Sequence, residues 1–165
     1  MIDIPVIETE RLSLRAMREG DLDAYAALLA DAEVMEFMGG AGGREDAWHS
    51  IAFLLGHWAL RGYGIWALEE RASGVFVGRA GLLRPENWPA TEIAWMLARP
   101  YWGRGYATEA AKAAKAWAGK AFPAEPLVSL VAPDNTRSIA LARRLGARED
   151  GIHLLHGKET LIFRH

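Results

Sequence analysis

The sequence of 165 residues contains no cysteine. This absence excludes thiol nucleophiles, disulfide frameworks, CxxC redox motifs and zinc sites built on cysteine. A surplus of charge of one sign is also lacking, because 19 Lys and Arg residues stand against 21 Asp and Glu residues, for a formal charge of -2. Non-specific nucleic-acid binding needs a basic surplus or a concentrated basic face. We therefore expect no nucleic-acid partner.

Long apolar runs are missing as well. Arg61, Glu69 and Glu70 interrupt the most apolar stretch, so no uncharged segment reaches the roughly 18 residues that cross a membrane. The N-terminal segment MIDIPVIETERLSLR has acids and a proline where a secretory signal needs a basic start and an apolar run. The expectation is a cytoplasmic protein with no membrane partner. A hydrophobic fraction of 51% suffices for a core, and no repeat or linker divides residues 1–165, so one domain is expected.

Hydrophobic periodicity predicts a mixed order of strands and helices. Helices are expected after Asp21, after the glycine-rich loop 38–43, after the segment 101–107 and after Asn135. In the third of these, Glu109 is expected to pair with Lys112. The order is typical of an α+β, or mixed α/β, fold in which helices cover a sheet. The predicted strands are residues 9–16, 64–69, 75–82, 91–97, 127–131, 147–150 and 159–164.

The segment WGRGYAT, residues 102–108, stands between a predicted strand and an alanine-rich helix. Glycines let the backbone approach a ligand, and N–H groups in the first turn of a helix attract anions. The segment could therefore cradle a phosphate or pyrophosphate, although an ordinary tight turn before a helix has the same composition. Two nucleotide signatures fail, because GxxxxGK[ST] is absent and the GxGxxA match at residues 62–67 follows a helix and leads into a strand. HExxH and GxSxG are absent too.

The stretch PYWGRGYATEA resembles the acyl-coenzyme A pyrophosphate loop of the GNAT superfamily of N-acetyltransferases, which has the general form Q/R-x-x-G-x-G/A. Gly105 and Ala107 match the last two fixed positions. Trp102 stands where Gln or Arg is usual, a departure common in the branch of ribosomal-protein N-terminal acetyltransferases (RimJ/RimL type). TERLSLR, VFVGRAGL, TEIAWML and PDNTRSIALARRLGA resemble other segments of that branch in the same order, over residues 9–147. The implied fold is a mostly antiparallel, splayed sheet flanked by helices.

The resemblance implies acetyl-coenzyme A as co-substrate and no metal. Backbone N–H groups of residues 103–107 would hold the pyrophosphate, with Arg104 as a charge partner. Met96 and Leu97 would present backbone groups to the pantetheine arm, and Asn135 of the N-x-x-S motif would contact it. Asn135 would equally serve as a helix cap that needs no ligand. The residues expected to contact the cofactor are Met96, Leu97, Trp102, Gly103, Arg104, Gly105, Tyr106, Ala107, Thr108, Asn135 and Ser138.

The reaction implied by the resemblance is direct attack of a primary amine on the acetyl thioester, for which a base must take a proton from the amine. Glu92 is the expected base, because the branch carries a Glu in the context E-I-x-W/Y; a solvent-facing strand residue is the alternative. Many GNAT enzymes use a helix-four Tyr as the acid, but Ala142 occupies that position here. Ser138 is expected to hydrogen-bond the departing sulfur instead. The missing Tyr leaves open a non-catalytic acyl-coenzyme A binding or sensing module.

The implied acceptor is an amine on a peptide N-terminus or a small molecule, and the family is compatible with a homodimer. Acidic residues around the loop 39–43, including Glu33 and Glu36, are too few to identify a polycationic acceptor. Trp88 is expected to be exposed and to contact substrate or a second copy of the chain. Trp66 and Trp95 are candidates for walls of the acceptor cavity.

The five histidines provide no convincing metal site. His153 and His156 are expected in one strand, where a spacing of three directs them to opposite faces. His49 and His57 are expected beside the apolar stripe of the second helix and partly exposed.

Overall fold

The computed structural model describes residues 3–165. Its helices are α1 (Leu22–Ala30), α2 (Arg44–Arg61), α3 (Tyr106–Ala121) and α4 (Thr136–Arg144), with short 3-10 turns at Glu19–Asp21 and Arg99–Tyr101. Its strands are β1 (Ile7–Glu8), β2 (Leu12–Arg15), β3 (Ile65–Glu70), β4 (Val75–Leu83), β5 (Thr91–Leu97), β6 (Leu127–Val131), β7 (Arg148–Leu155) and β8 (Lys158–Arg164).

The eight strands form one sheet in the order β1-β2-β3-β4-β5-β6-β8-β7. Every described pairing is antiparallel except that between β5 and β6. The α+β prediction and the mostly antiparallel sheet are confirmed. Two details differ from the prediction. The short strand β1 pairs Ile7 with Leu14, and β7 extends to Leu155 because it forms a hairpin with β8. His156 therefore lies in the hairpin turn, with φ 50°, and not in a strand.

The two faces of the sheet are covered by different helices. On one face, Tyr25 of α1 and Leu54 of α2 pack in a buried cluster with Phe76 of β4. On the other face, Ala110 and Ala114 of α3 are fully buried in the cluster that holds Trp66 and Val77. These alanines allow α3 to pack close to the sheet, because only their methyl groups lie between the helix and the strands.

The glycines of the VFVGRAGL segment are required by close approach of neighbouring strands. A Cβ on Gly78 would lie 2.2 Å from the carbonyl oxygen of Met96, and a Cβ on Gly81 would lie 2.4 Å from the carbonyl oxygen of Gly64. Both contacts are shorter than any tolerated by real side chains, so β4 can join β3 and β5 only with glycine at these positions.

The parallel pairing of β5 with β6 extends over only two residue pairs, Thr91 with Leu127 and Glu92 with Val128. Beyond Glu92 the two strands separate, while β5 stays paired with β4 as far as Leu97 and β6 stays paired with β8. The sheet therefore opens into a gap between β5 and β6. No helix within residues 3–165 is long and apolar enough to span a bilayer.

Candidate active site

A cavity of about 1130 Å³ passes through the gap between β5 and β6. At one end it reaches the N-terminus of α3, and at the other it reaches the sheet face that carries Glu92. Arg104 does not line it, because its guanidinium lies over the Tyr101 ring, 5.3 Å from the ring centroid. The cavity brings together the other predicted site residues: Glu92, Met96, Leu97, Trp102, Gly103, Gly105, Tyr106, Ala107, Thr108, Asn135 and Ser138.

The loop before α3 presents its backbone to this cavity. Gly105 caps α3 in the left-handed conformation, with φ 82°, and Gly103 has φ 74°. The first N–H groups of a helix have no intrahelical acceptor, and no hydrogen bond within residues 3–165 takes the N–H groups of residues 103–108. Six consecutive free donors at the positive end of a 16-residue helix form a site suited to an anion.

The side chain of Tyr106 anchors the loop. It is buried, its ring stacks on Tyr101 with centroids 6.3 Å apart, and its hydroxyl donates to Glu70 at 2.5 Å. Only the backbone N–H of Tyr106 is therefore free for a ligand.

A second anchor of the loop comes from the start of β2. Arg11 donates through Nε to Glu109 at 2.7 Å and through Nη1 to the carbonyl of Arg104 at 2.8 Å. The Glu109 carboxylate also accepts from the hydroxyl of Thr9 and the backbone N–H of Arg11. These bonds hold the pKa of Glu109 below its usual value although partial burial acts in the opposite direction. The predicted pairing of Glu109 with Lys112 is wrong, because the carboxylate binds Arg11 across 98 residues of sequence.

Alternate residues of β5 turn their backbone groups toward the gap. The N–H of Ala98 donates to Val77, and the Met96 carbonyl faces Gly78, so both residues direct their backbone toward β4. Ile93, Trp95 and Leu97 therefore present their N–H and carbonyl groups to the gap. The Met96 backbone was expected to contact the pantetheine arm, but it faces β4 and not the gap. Trp95 and Leu97, on either side of it, occupy the gap-facing positions.

Two of the gap-facing carbonyls are already occupied. The Leu97 carbonyl accepts from the indole N–H of Trp102 at 2.9 Å, and the Ile93 carbonyl accepts from the Ser129 hydroxyl at 2.7 Å. The N–H groups of Trp95 and Leu97 are thus held at fixed positions in the gap, on a strand whose other edge is fully paired with β4.

Glu92 is buried, with 9% of its surface exposed, so the solvent-facing alternative is wrong. Its Oε2 accepts from the indole N–H of Trp88 at 2.7 Å. Burial raises the pKa of Glu92 to about 7, although the Trp88 N–H, the backbone N–H of Leu130 and the charge of Arg79 act to lower it. A carboxyl group that titrates near neutrality inside a cavity is suited to proton transfer.

The α4 segment brings a hydroxyl and an amide to the cavity. The Asn135 side-chain oxygen accepts from the backbone N–H of Ser138 at 3.1 Å, so Asn135 does cap α4. The Ser138 hydroxyl accepts from the indole N–H of Trp95 at 3.2 Å, which leaves its own proton free to donate into the cavity. Ala142 is fully buried beside Val131 and Phe163, so this position contributes no group to the cavity.

The burial of two tryptophans, Trp66 and Trp88, differs from the prediction. Trp95 lines the cavity, as expected, but Trp66 is fully buried in the core. Trp88 is half-buried against Glu92, while the exposed tryptophan is Trp48 of α2, with 53% of its surface accessible.

Both histidines of α2 lie outside this cavity. His57 is buried rather than partly exposed, because Nδ1 lies 2.8 Å from the Tyr63 carbonyl and Nε2 accepts from the Arg84 N–H at 3.0 Å. Burial lowers the pKa of His57, and the two bonds fix the neutral ring with its proton on Nδ1.

Sequence reasoning missed Arg79 and Arg11. Arg79 belongs to VFVGRAGL, where the glycines alone attracted interpretation, and it lines the cavity on the same side of the sheet as Glu92. Only the alternation of β4 could have indicated it. Of the acidic residues near loop 39–43, Glu33 lines the cavity, but its carboxylate pairs with Arg99 at 3.3 Å and Arg137 at 3.6 Å. Within residues 3–165, no group of three or more His, Asp or Glu side chains could hold a metal ion.

Residues 11–148 match the family model described as Acetyltransferase (GNAT) domain. The uncharacterized protein YkkB of Bacillus subtilis is 31% identical over 146 residues, which cover 84% of this chain and 82% of that protein. The crystal structure of an acetyltransferase from Agrobacterium tumefaciens is 32% identical, with a TM-score of 0.90 over 100% of this chain and 96% of that one. RimL, a ribosomal alpha-N-protein acetyltransferase in complex with coenzyme A, is 18% identical with a TM-score of 0.78, over 98% of this chain and 97% of that one. This last likeness is one of fold.

Proposed function

The chain belongs to the GNAT acetyltransferases, and we propose that it transfers the acetyl group of acetyl-coenzyme A to a primary amine through the cavity between β5 and β6. One observation carries the proposal. A single cavity, lined by five residues with free backbone N–H groups at the start of α3, also reaches a buried carboxyl group whose pKa is about 7. These features support the proposal of an anion-binding site at one end of the channel and a base for an amine at the other.

The residues present fit coenzyme A as the second substrate. The free N–H groups of residues 103–108 suit the charge of a pyrophosphate, and the loop holds no side chain that would compete for them. The gap-facing backbone of Trp95 and Leu97 suits the amide groups of a pantetheine arm. Asn135 lines the same channel, and its oxygen is used by the Ser138 N–H, which leaves its side-chain amide to donate. When bound, acetyl-coenzyme A would supply the thioester carbon that the amine attacks.

Glu92 would remove the proton that the attacking amine must lose, directly or through water. Free amines have pKa values near 8 to 10, so most are protonated at neutral pH. A carboxyl group of pKa about 7 is half ionised there and remains basic enough to take a proton in the transition state. An ordinary exposed Glu would be fully ionised but a weaker base.

The unpaired edge of β5 would stabilise the negative charge that develops on the thioester oxygen. The Trp95 N–H, which is nearer to Glu92 along β5, is fixed by the strand and lies in the narrow gap, so it needs no rearrangement to donate. The Trp95 carbonyl and the Leu97 N–H remain for the pantetheine arm. The Ser138 hydroxyl would donate to the departing sulfur, because its oxygen already accepts from Trp95 and its proton is free. A hydroxyl in this position supplies a hydrogen bond and no net proton. The RimJ/RimL-like sequence pattern favours a peptide N-terminus or a small-molecule amine as the acceptor.

The experiment has a binding arm and a turnover arm. Thermal melting with saturating acetyl-coenzyme A should raise the melting temperature by several degrees, because ligand at 100 times its Kd adds about 2.7 kcal/mol. NADH and ATP serve as controls and should give no comparable shift. Release of free thiol is then measured with a panel of amines. Binding without thiol release from any amine would favour the non-catalytic acyl-coenzyme A module, and no binding would overturn the proposal as a whole.

A further inference from the structure

On the Glu92 side of the sheet, β4 and β5 form three rows of paired residues. Arg79 lies opposite Met96, Gly81 opposite Ala94, and Leu83 opposite Glu92. Five of these six residues line the cavity, all except Gly81. Because residues two apart share a face, all three rows lie on the same side of the sheet. The part of the cavity on that side, between Arg79 and Glu92, forms a chamber.

The middle row leaves room for a ligand. Gly81 contributes no side chain to the cavity, because the Gly64 carbonyl lies 2.4 Å from the position that its Cβ would take. Ala94 adds only a methyl group. The chamber is therefore open between Arg79 at one end and Glu92 at the other. Met96, opposite Arg79, is four residues from Glu92 along β5, so the Cα atoms of Arg79 and Glu92 lie about 14 Å apart across the two strands. Both side chains are long, so their charged groups come closer than this.

The guanidinium of Arg79 has no partner within the described residues. No hydrogen bond or ion pair in residues 3–165 involves it, and its Nε is buried without an acceptor. Other arginines around this chamber are used: Arg99 binds Asp31 and Glu33, and Arg137 lies over the Trp102 ring and near Glu33. A partly buried guanidinium with an unused fork is costly unless a ligand supplies the anion.

Glu92 does not supply that anion. Its Oε2 is taken by Trp88, and with a pKa of about 7 it carries on average half a charge at neutral pH. Glu33 does not supply it either, because its carboxylate is shared between Arg99 and Arg137. On the Glu92 side of the sheet the cavity thus offers a guanidinium whose buried Nε has no acceptor among the described residues, and one base.

We propose that the acceptor of this enzyme is an amine that carries a carboxylate, and that Arg79 binds the carboxylate while the amine faces Glu92. The inference rests on the proposed function, whose acceptor it specifies. It disfavours polycationic acceptors such as polyamines, because a second positive charge on the acceptor would meet Arg79. Arg79 is thus a specificity-determining residue that binds the acceptor at a distance from the reacting nitrogen.

The experiment compares matched amines in the thiol-release assay. L-phenylalanine, L-phenylalaninamide and phenethylamine differ in the carboxylate, and 4-aminobutyrate with butylamine repeats the comparison at another spacing. Spermidine represents the polycations, and a tripeptide that begins with Asp tests whether the carboxylate can come from a peptide. We expect kcat/KM for the carboxylate-bearing member to exceed that of its neutral partner by about 10- to 100-fold.

The Arg79→Gln variant should lose this preference, so that the ratio of kcat/KM between each carboxylate-bearing amine and its neutral partner falls to about one. The ratio is the readout because the charge of Arg79 also lowers the pKa of Glu92, and its loss affects the absolute rate with every amine. Arg79→Lys should retain part of it, since the charge remains but the planar fork is lost. The melting temperature of Arg79→Gln should change little, because the guanidinium makes no hydrogen bond or ion pair with residues 3–165. Binding of N-acetyl-phenylalanine, followed by calorimetry, should weaken in the same variant and provides a readout independent of turnover.

The outcomes separate this inference from the proposed function. Equal or better turnover of neutral amines or spermidine by the wild type would overturn the carboxylate inference and leave amine acetylation standing. Binding of acetyl-coenzyme A without turnover of any amine would overturn both. If Arg79→Gln does not fold, the amine comparison on the wild type alone still decides the question.

Discussion

The indole N–H of Trp88 lies 2.7 Å from Oε2 of Glu92, and this bond joins the loop after β4 to the strand that carries the proposed base. The bond stabilises the ionised carboxylate, while burial stabilises the protonated carboxyl group, and burial has the larger effect. The pKa of Glu92, about 7, is the balance between burial, which raises it, and the N–H groups of Trp88 and Leu130 with the charge of Arg79, which lower it.

Replacing Trp88 with Phe removes the donor and keeps an aromatic ring. The pKa of Glu92 should then rise further, because the carboxylate loses a hydrogen bond worth about 1.5 kcal/mol or more, or about one pKa unit. The base is active when ionised, so the acidic limb of kcat/KM should move to higher pH by about one unit, with the plateau nearly unchanged. Trp48→Phe, on an exposed tryptophan of α2, is the control and should leave the profile in place. An unmoved limb in Trp88→Phe would assign the profile to another group.

Replacing Glu92 with Gln should lower kcat by about 10²- to 10⁴-fold, the usual contribution of a general base, and abolish the limb near pH 7. Affinity for acetyl-coenzyme A should stay within about twofold, because Glu92 lies at the far end of the cavity from the α3 loop. Steady-state kinetics and calorimetry measure the two quantities. Glu86→Gln, on an exposed residue that pairs with Arg61, is the matched control. Equal losses of turnover and cofactor affinity would contradict the assignment of Glu92 as base.

Replacing Gly105 with Val should weaken acetyl-coenzyme A binding by more than tenfold. A β-branched residue at φ 82° is strained by about 1–3 kcal/mol, so the loop must change its backbone conformation and lose the aligned N–H groups. The new Cβ would also lie 3.3 Å from Nη2 of Arg11. Gly119→Val is the control, because Gly119 lies inside α3 with open space around it. Normal cofactor affinity in Gly105→Val would mean that the loop is only a turn.

Replacing Arg11 with Met should weaken acetyl-coenzyme A binding by roughly tenfold while kcat at saturation changes little. Arg11 ties Glu109 and the Arg104 carbonyl together, so its loss frees the loop without touching the reacting atoms. The free energy of unfolding should fall by only about 1 kcal/mol or less, because the arginine side chain is 42% exposed. Arg71→Met breaks a similarly exposed pair with Glu8 outside the cavity and should leave cofactor affinity unchanged. A fall in stability alone, without a change of affinity, would limit Arg11 to a structural role.

Local patterns in the sequence were sufficient for most of the fold. The alternation of β2 and the 3.6-residue period of α1 and α2 are properties of neighbouring residues, and all three elements form where the patterns predict them. The end of β7 was missed because residues 151–155 pair with β8 through a turn at His156 and Gly157, where a non-glycine residue adopts positive φ. Such pairing depends on the partner strand and leaves little trace in the segment itself.

Side-chain partners were predicted less well than elements. Glu109 has Lys112 one turn away on the same helix, yet it binds Arg11 from the start of the chain. His57 lies at a position that helical period alone makes half-exposed, but Tyr63 and Arg84 supply a carbonyl and an N–H that allow its burial. Arg79 was missed for the same reason, since β5 and the α1–α2 loop, which are distant from it in sequence, form the cavity around it. Long-range contacts of this kind become visible only when the strands are brought together.

The two residue pairs between β5 and β6 also affect how the molecule holds together. Residues before β6 form one continuous set of antiparallel strands, and β6, β8 and β7 form another. Ser129, bonded to Ile93, is one of the few cross-links between them. A molecule that fills the gap would bridge β5 and β6 and so join the last quarter of the chain, from β6 onward, to the rest. The substrate would then be a temporary part of the architecture, and each release of product would return the protein to a more loosely joined state.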